Sequence, residues 1–542
     1  MGSFRIEQDR GLRRRLLEGR LTRRDLLRMG GLAGLLAVGG SPAALWAARA
    51  TGRGPRLAGY PFRLGVASGD PTPGGVVLWT RLAPDPLIGG GMPAVPVPVQ
   101  WELADDEGFR RVVRRGEVTA HPEAAHSVHV ELEGLLAGRG YWYRFLAGGE
   151  ASPVGRTRTA PAEGAMPQAF RLAFASCQNF QGGYYAAHRH LAAEDLDLVL
   201  HLGDYIYEGG VGSEAVRPHN SPEIRTLEAY RNRYALYKGD PDLQAAHAAA
   251  PWVVTWDDHE VDNNYAGDHE ERGATREAFL LRRAAAYQAY YEHLPLRRAS
   301  MPLGASLQLY RRLNAGALVT LHVLDTRQHR TPQPCADGFV SRCDAAADPA
   351  GTILGADQER WLLEGTTRST ACWNVLANQV PFVPITRRRG AQEWNGDGVP
   401  AYSMDKWDGY AAQRARVHAH LRDARVANPV VLTGDVHVSW VAELPRDLTD
   451  PTSPPIGVEF VGTSISSGGD GEAFSPMGQG LLADNPHARF FNGQRGYGLC
   501  RFTRDRCEVA YRVVSHVSRP DGVVSTAGRF VVEAGRGGVL PG

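Results

Sequence analysis

The chain has 542 residues, too many for one ordinary hydrophobic core, so two domains of unequal size are expected. Its 60 basic and 59 acidic side chains leave a formal charge of +1, which gives no electrostatic case for specific nucleic-acid binding as the main activity. The 63 glycines and 35 prolines argue against a helical bundle and suit a loop-rich protein with functional residues at the ends of regular elements.

At the N-terminus, Arg13, Arg14 and Arg15, then Thr22-Arg23-Arg24-Asp25-Leu26-Leu27, precede a weakly apolar run rich in Gly, Ala and Leu. That order reads as a twin-arginine export signal over residues 1–50, recognised by the twin-arginine translocation machinery. The run is short and Gly-rich for a stable membrane span, and Ala47-Ala48-Arg49-Ala50 offers a small-residue cleavage site. The expected destination is a bacterial periplasm, cell wall or medium. Six cysteines in an exported chain invite disulfide pairing. Cys335 and Cys343 flank a loop containing Asp337 and Gly338 and are the expected bridge. Cys500 and Cys507 lie in adjoining strand-like runs, where a bridge requires the right register. Cys372 reads as a buried small hydrophobe.

Residues 58–160 read as short β-runs with alternating polarity, at 64–67, 76–80, 97–103, 127–132 and 141–145. Leu135, Gly138 and Tyr141 have the spacing of a tyrosine corner, so this segment is expected to be an immunoglobulin- or fibronectin-like β-sandwich. A Pro/Ala/Gly linker follows at 160–167. Over 168–535 the pattern becomes apolar strands that each end in a polar cluster, with helical stretches between them, which is an α/β arrangement. Strands are expected at 172–175, 196–202, 252–256, 318–324, 373–377 and 430–433, and helices at 277–293 and 358–364. In the first helix Leu280, Ala284, Tyr287 and Tyr291 form a stripe suited to core packing.

Four strand ends carry the chemistry. The first is Phe174-Ala-Ser-Cys177-Gln178, and the second is Gly203-Asp204-Tyr205-Ile-Tyr207-Glu208. In the second, a helical turn after the strand would aim Asp204 and Tyr207 into one site. The third, Trp256-Asp257-Asp258-His259-Glu260, opens a run of oxygen ligands that would repel itself without a cation. The fourth is Gly434-Asp435-Val436-His437, whose ligands at i and i+2 share a face in extended chain. Ligands of α/β proteins bind at such strand ends.

A carboxylate such as Asp204 can bridge two cations. Cys177, Tyr207 and His437 offer a thiolate, a phenolate and an imidazole, which suit a transition metal such as ferric iron better than magnesium, while Asp258 and Asp435 would hold a harder, oxygen-loving ion beside it. Such a pair can bind the phosphoryl oxygens of an ester and deliver a metal-bound hydroxide in line with the leaving group. His259, beside Asp258, is placed to stabilise the transition state or protonate the leaving oxygen.

These motifs, together with Ala67-Ser-Gly-Asp-Pro71, Val77-Leu-Trp-Thr-Arg81 and Leu324-Asp-Thr-Arg327, resemble the PhoD-type branch of the calcineurin-like metallophosphoesterases nearly end to end. The resemblance implies an immunoglobulin-like N-terminal domain, a four-layer α/β/β/α catalytic sandwich, ferric iron with calcium, and activity on phosphomonoesters and phosphodiesters. Cys177, Asp204, Tyr207 and His437 match its iron side, and Asp257, Asp258 and Asp435 its calcium side. Asn378 is read either as a further ligand or as a structural amide. Arg327 is read as a phosphate contact or as a member of an internal ion pair with Asp325 or a neighbour. His201 is read as a satisfied core histidine. Asp405, Trp407 and Asp408 are read as lining the substrate entrance or as loop decoration, and Ser464, Ser466 and Ser467 not as nucleophiles. The expected substrates are small phosphate esters, including nucleotide and phospholipid diesters. The rival activity is a phospholipase-D-like phosphodiesterase, and the non-enzymatic rival is a metal-binding or adhesion protein.

Overall fold

A computed structural model describes residues 57–386 and 400–542. The expected twin-arginine segment lies outside these residues. No helix among the described residues is long and apolar enough to cross a membrane.

The expected N-terminal strands form as Val66–Thr72, Gly75–Arg81, Val97–Ala104, Ser127–Leu132 and Gly140–Ala147. A sixth, Val112–Ala120, is largely exposed and Arg-rich, so its sequence shows no inward-facing apolar alternation. Two sheets from this segment share one apolar cluster that includes Val66, Leu78, Val99, Leu103, Val128, Tyr143 and Phe145. The tyrosine corner is present: the backbone N–H of Leu136 donates to Tyr141 Oη at 3.2 Å.

One of these sheets runs on into the rest of the molecule. Val66–Thr72 pairs in parallel with Trp252–Thr255, setting Gly69 opposite Trp252, and the result is one ten-stranded sheet. Only glycine fits at that seam, because a Cβ on Gly69 would lie 2.5 Å from Pro295 O and 2.6 Å from Trp252 O. Helix Arg276–His293 reinforces the junction. Trp79 Nε1 donates to Glu292 O at 3.0 Å, Arg81 Nη1 lies 2.7 Å from His293 Nε2, and His129 stacks on Tyr291 at 4.5 Å.

A second, seven-stranded sheet holds Val319–Val323, Trp373–Asn378, Pro429–Thr433 and Asp450–Val461 in parallel at its centre. All six expected α/β strands are present. Their two-residue period explains the layering. Leu198, Leu200 and Leu202 face Val375, Leu432 and Phe460 of the second sheet, whereas Val199, Trp252 and Val254 face helices on the other side. A third cluster packs helices Gly355–Arg368 and Ala411–Asp423 on the far face of the seven-stranded sheet through Leu362, Val417, Leu421 and Val431.

The helix expected at 277–293 is present, capped by Thr275 Oγ1, which accepts from Ala278 N at 3.3 Å. Its buried face is turned by about one residue from the expected stripe: Phe279, Ala286, Tyr287 and Tyr290 are fully buried, while Leu280 and Ala284 are half-exposed. Cys335 and Cys343 are bridged. Cys500 and Cys507 are unbridged, because the hairpin register sets Cys500 opposite Val509 and Cys507 opposite Phe502. Cys372, expected in the core, is half-buried, and its thiol donates to Arg504 O at 3.1 Å.

Candidate metal centre

Strands Phe170–Ala175, Leu198–Leu202 and Trp252–Thr255 run parallel and end side by side, and Pro429–Thr433 of the other sheet ends against them. At these ends Cys177, Asp204, Asp435 and His437 all hold positive φ, between 57° and 70°. A left-handed residue reverses the chain sharply and costs on the order of 1–3 kcal/mol, so such backbone clusters at functional sites. Asp435 and His437 are therefore not on an extended chain as expected. Asp435 is directed to Lys406, and His437 to Tyr207. Gly203 is required before Asp204: its φ is +111°, and a Cβ there would meet Asp257 N at 2.6 Å.

The expected residues converge in two overlapping groups. One ligand atom each from Cys177, Asp204 and His437 lie within 4.8 Å of one another, and so do those of Asp204, Asp258 and His259. Asp204 belongs to both groups. Tyr207 Oη donates to Asp204 Oδ2 at 2.9 Å and lies 3.2 Å from His437 Nε2, which aligns Asp204 with Tyr207 although no helical turn forms there. Ser467 Oγ donates to Tyr207 Oη at 2.8 Å and lies 2.7 Å from Cys177 O, so this serine braces the centre.

Behind these groups stands a frame that sequence reasoning did not single out. Glu260 accepts from Tyr205 N at 2.6 Å and from Asp257 N at 2.9 Å, tying two strand ends together. Glu208 Oε2 lies 2.7 Å from His259 Nδ1, and its Oε1 accepts from Asn263 N at 2.9 Å. The His259 ring also stacks on Tyr207 at 4.0 Å. Both glutamates sit inside recognised motifs, but which backbone or imidazole they reach is set by long-range packing.

Arg327 is buried within ion pairs. Its guanidinium is 0% exposed and donates to Asp257 Oδ1 at 2.6 Å and to both oxygens of Asp405 at 2.8 Å. The ion-pair reading holds, though with Asp257 and Asp405; Asp325 accepts only the Arg327 backbone N–H. Asn378 has both amide ends engaged, with Nδ2 donating to Val380 O and Oδ1 accepting from Trp407 Nε1 at 3.1 Å. Asp405, Trp407 and Asp408 are buried and not loop decoration, with Asp405 against Arg327 and Arg330, Trp407 against Asn378 and Asp408 against Arg414. Ser464 and Ser466 bond backbone carbonyls. His201 is buried as expected but not satisfied: neither ring nitrogen has a hydrogen-bond partner, and the ring stacks on Trp252.

The electrostatics show a surplus of buried negative charge. Burial pushes the carboxyl of Asp204 well above the usual range, and that of Asp257 up to about 8 even beside Arg327. Burial also raises the Cys177 thiol and the Tyr207 phenol, with Asp204 adding to both. It lowers the His437 imidazole to about 3, helped by Arg495. His259 departs from the pattern: burial opposes its charge, yet Glu208, Asp204 and Asp258 together hold it protonated. Asp204 Oδ1 and Asp257 Oδ2 have no hydrogen-bond donor, and Asp435 Oδ2 meets the ammonium of Lys406. Unpaired buried carboxylate oxygens beside a thiol, a phenol and an imidazole fit cations in place of protons.

A buried cluster of thiol, phenol, imidazole and carboxylates at the strand ends of an α/β fold is the arrangement that suits a metal-dependent hydrolase. The PhoD-like phosphatase family profile matches residues 172–511, and the profile of that family's N-terminal domain matches residues 47–161. Alkaline phosphatase D of Bacillus subtilis (strain 168) is 52% identical over 492 residues, which cover 90% of this chain and 83% of the relative. A solved structure of PhoD superposes with a TM-score of 0.87 at 52% identity, covering 90% of this chain and 93% of that one. The chain belongs to the PhoD-like phosphatase family and is a phosphoric ester hydrolase.

Proposed function

We propose that the chain is an exported alkaline phosphatase with phosphodiesterase activity, holding ferric iron among Cys177, Asp204, Tyr207 and His437. Asp258 and Asp435 would hold calcium, with Asp204 shared and Asp257 contributing its unpaired oxygen. The observation that carries this reading is that Asp204 belongs to two ligand clusters at once, one rich in soft donors and one in carboxylate oxygens. Bound cations supply positive charge to the phosphoryl oxygens and acidify water for in-line attack. The chain itself supplies orientation: Arg327 and Glu260 fix the carboxylates, and Ser467 fixes Tyr207. His259, held charged by Glu208 at Nδ1, presents Nε2 to give a proton to the leaving oxygen.

In this reading residues 1–50 are a twin-arginine signal, and the mature enzyme acts in the periplasm, cell wall or medium. Residues 58–160 are an immunoglobulin-like sandwich and 168–535 a four-layer α/β/β/α sandwich, supported by one apolar cluster in the first and three in the second. The test is elemental analysis of exported protein with matched monoester, diester and phospholipid assays. Iron and calcium should be found, and Cys177→Ala should lose both iron and its visible absorption. Calcium chelation should abolish hydrolysis reversibly. Full turnover in excess chelator, or unchanged iron in the variant, refutes the assignment; preference for the phospholipid favours the phospholipase-D-like activity.

A further inference from the structure

Lys406 touches the metal centre, yet the reaction outlined above gives it no task. Its Nζ forms an ion pair with Asp435 Oδ2 and lies 3.4 Å from Asp405 Oδ2. The two carboxylates differ in what else holds them. Asp405 takes both guanidinium arms of Arg327 at 2.8 Å and Arg330 Nη1 at 2.6 Å, so it is neutralised without the lysine. Among the described residues Lys406 is the only basic side chain in an ion pair with Asp435. The contact is a close ion pair in which the ammonium is the counter-charge of Asp435. An attraction of that kind is surrendered readily to a cation of higher charge.

The backbone of Lys406 is pinned by hydrogen bonds, whereas its ammonium is held by the two carboxylates Asp435 and Asp405. Met404 N donates to Gly338 O at 2.9 Å, Lys406 N to Ser403 O at 3.2 Å, and Gly409 N to Lys406 O at 3.0 Å. The disulfide loop and the strand pair Phe339–Ser341 and Ala401–Ser403 hold this turn in place. The side chain is 16% exposed, whereas those of Arg327 and Arg330 are 0% exposed. A flexible four-carbon stem on a fixed turn can relocate its ammonium without moving the chain.

We propose that Lys406 is a tethered stand-in cation. It neutralises Asp435 until a divalent ion takes that carboxylate, and the released ammonium then binds a phosphoryl oxygen of the ester. The inference rests on reading Asp435 as a metal ligand, and the experiment separates the two. Calcium chloride is titrated calorimetrically into the calcium-stripped full chain, wild type, Lys406→Met and Lys406→Arg. Binding of inorganic phosphate is then measured on each calcium-loaded form.

The methionine variant should bind calcium about tenfold more tightly than wild type, because no ion pair has to be given up. Added monovalent salt should narrow that gap. The same variant should bind phosphate about tenfold more weakly, and Lys406→Arg should stay near wild type in both titrations. Unchanged or weaker calcium binding in Lys406→Met overturns the stand-in role, and unchanged phosphate binding overturns the substrate role. A wild-type chain that takes up no calcium sinks the metal reading itself and this inference with it.

Discussion

Replacing Glu208 by Gln tests the acid role of His259 with minimal change of shape. The glutamine oxygen can still accept the Asn263 N–H now held at 2.9 Å, but an amide N–H replaces the carboxylate oxygen 2.7 Å from His259 Nδ1. A buried hydrogen bond to a charged group contributes about 1.5–3 kcal/mol. At about 1.4 kcal/mol per factor of ten, loss of the protonated imidazole should slow kcat by roughly 10- to 150-fold. The loss should depend on the leaving group, because an alkoxide needs the proton and a nitrophenolate does not. The assay is therefore kcat against pH with an alkyl phosphate and with p-nitrophenyl phosphate. Burial disfavours the His259 charge, and Glu208, then Asp204 and Asp258, restore it. Removing the first of these partners lowers the imidazole's affinity for its proton, so the alkaline limb should move to lower pH. Equal losses for the two esters with an unmoved alkaline limb would refute the acid role.

Asp204→Asn should depress both iron and calcium content and cost far more in kcat/KM than Asp258→Asn; equal small effects in metal analysis and kinetics contradict a shared ligand. Gly203→Ala should destabilise by at least about 2 kcal/mol, since the Cβ would lie 2.6 Å from Asp257 N at φ +111°; an unshifted urea midpoint contradicts that strain. Burial pushes the ammonium of Lys238 down to about 7. The unfolded lysine stays protonated up to about 10.4. Stability is thus full above the unfolded value and falls as pH drops towards 7, by about 1.4 kcal/mol per unit. Lys238→Met should abolish that slope in urea titrations across the window, and an unaltered slope rejects the assignment.

The strands and the donor residues were legible because each obeys a local rule. The runs at 198–202 and 430–433 are too short and apolar for surface helices, and each ends in Gly-Asp. What local rules do not contain is the partner across the fold. Arg327 reads as either a phosphate contact or half of an internal ion pair until Asp257 and Asp405, 70 and 78 residues away in sequence, close around it. Glu208 is one more acid in an acidic motif until packing sets it against His259. The Cys500–Cys507 pair failed on register, which sequence leaves open by a residue or two and a disulfide does not tolerate. The burial stripe of helix Arg276–His293 slipped for a related reason. Tyr287 and Tyr291 of the expected stripe are buried, Tyr291 against His129 of the N-terminal segment, whereas the rest of the buried face falls on Phe279, Ala286 and Tyr290 and not on Leu280 and Ala284.

The parallel pairing of Val66–Thr72 with Trp252–Thr255 bears on how this architecture can be cut and inherited. The linker at 160–167 looks like a natural seam for truncation or for grafting the N-terminal strands onto another enzyme. Severing there would strip the neighbour from the strand that delivers Asp257 and Asp258, leaving an open row of backbone amides beside the reactive centre. It would also unroof Tyr291 and remove the indole that Glu292 O now holds. A chimera that keeps these contacts exchanges the first strands together with the helix Arg276–His293.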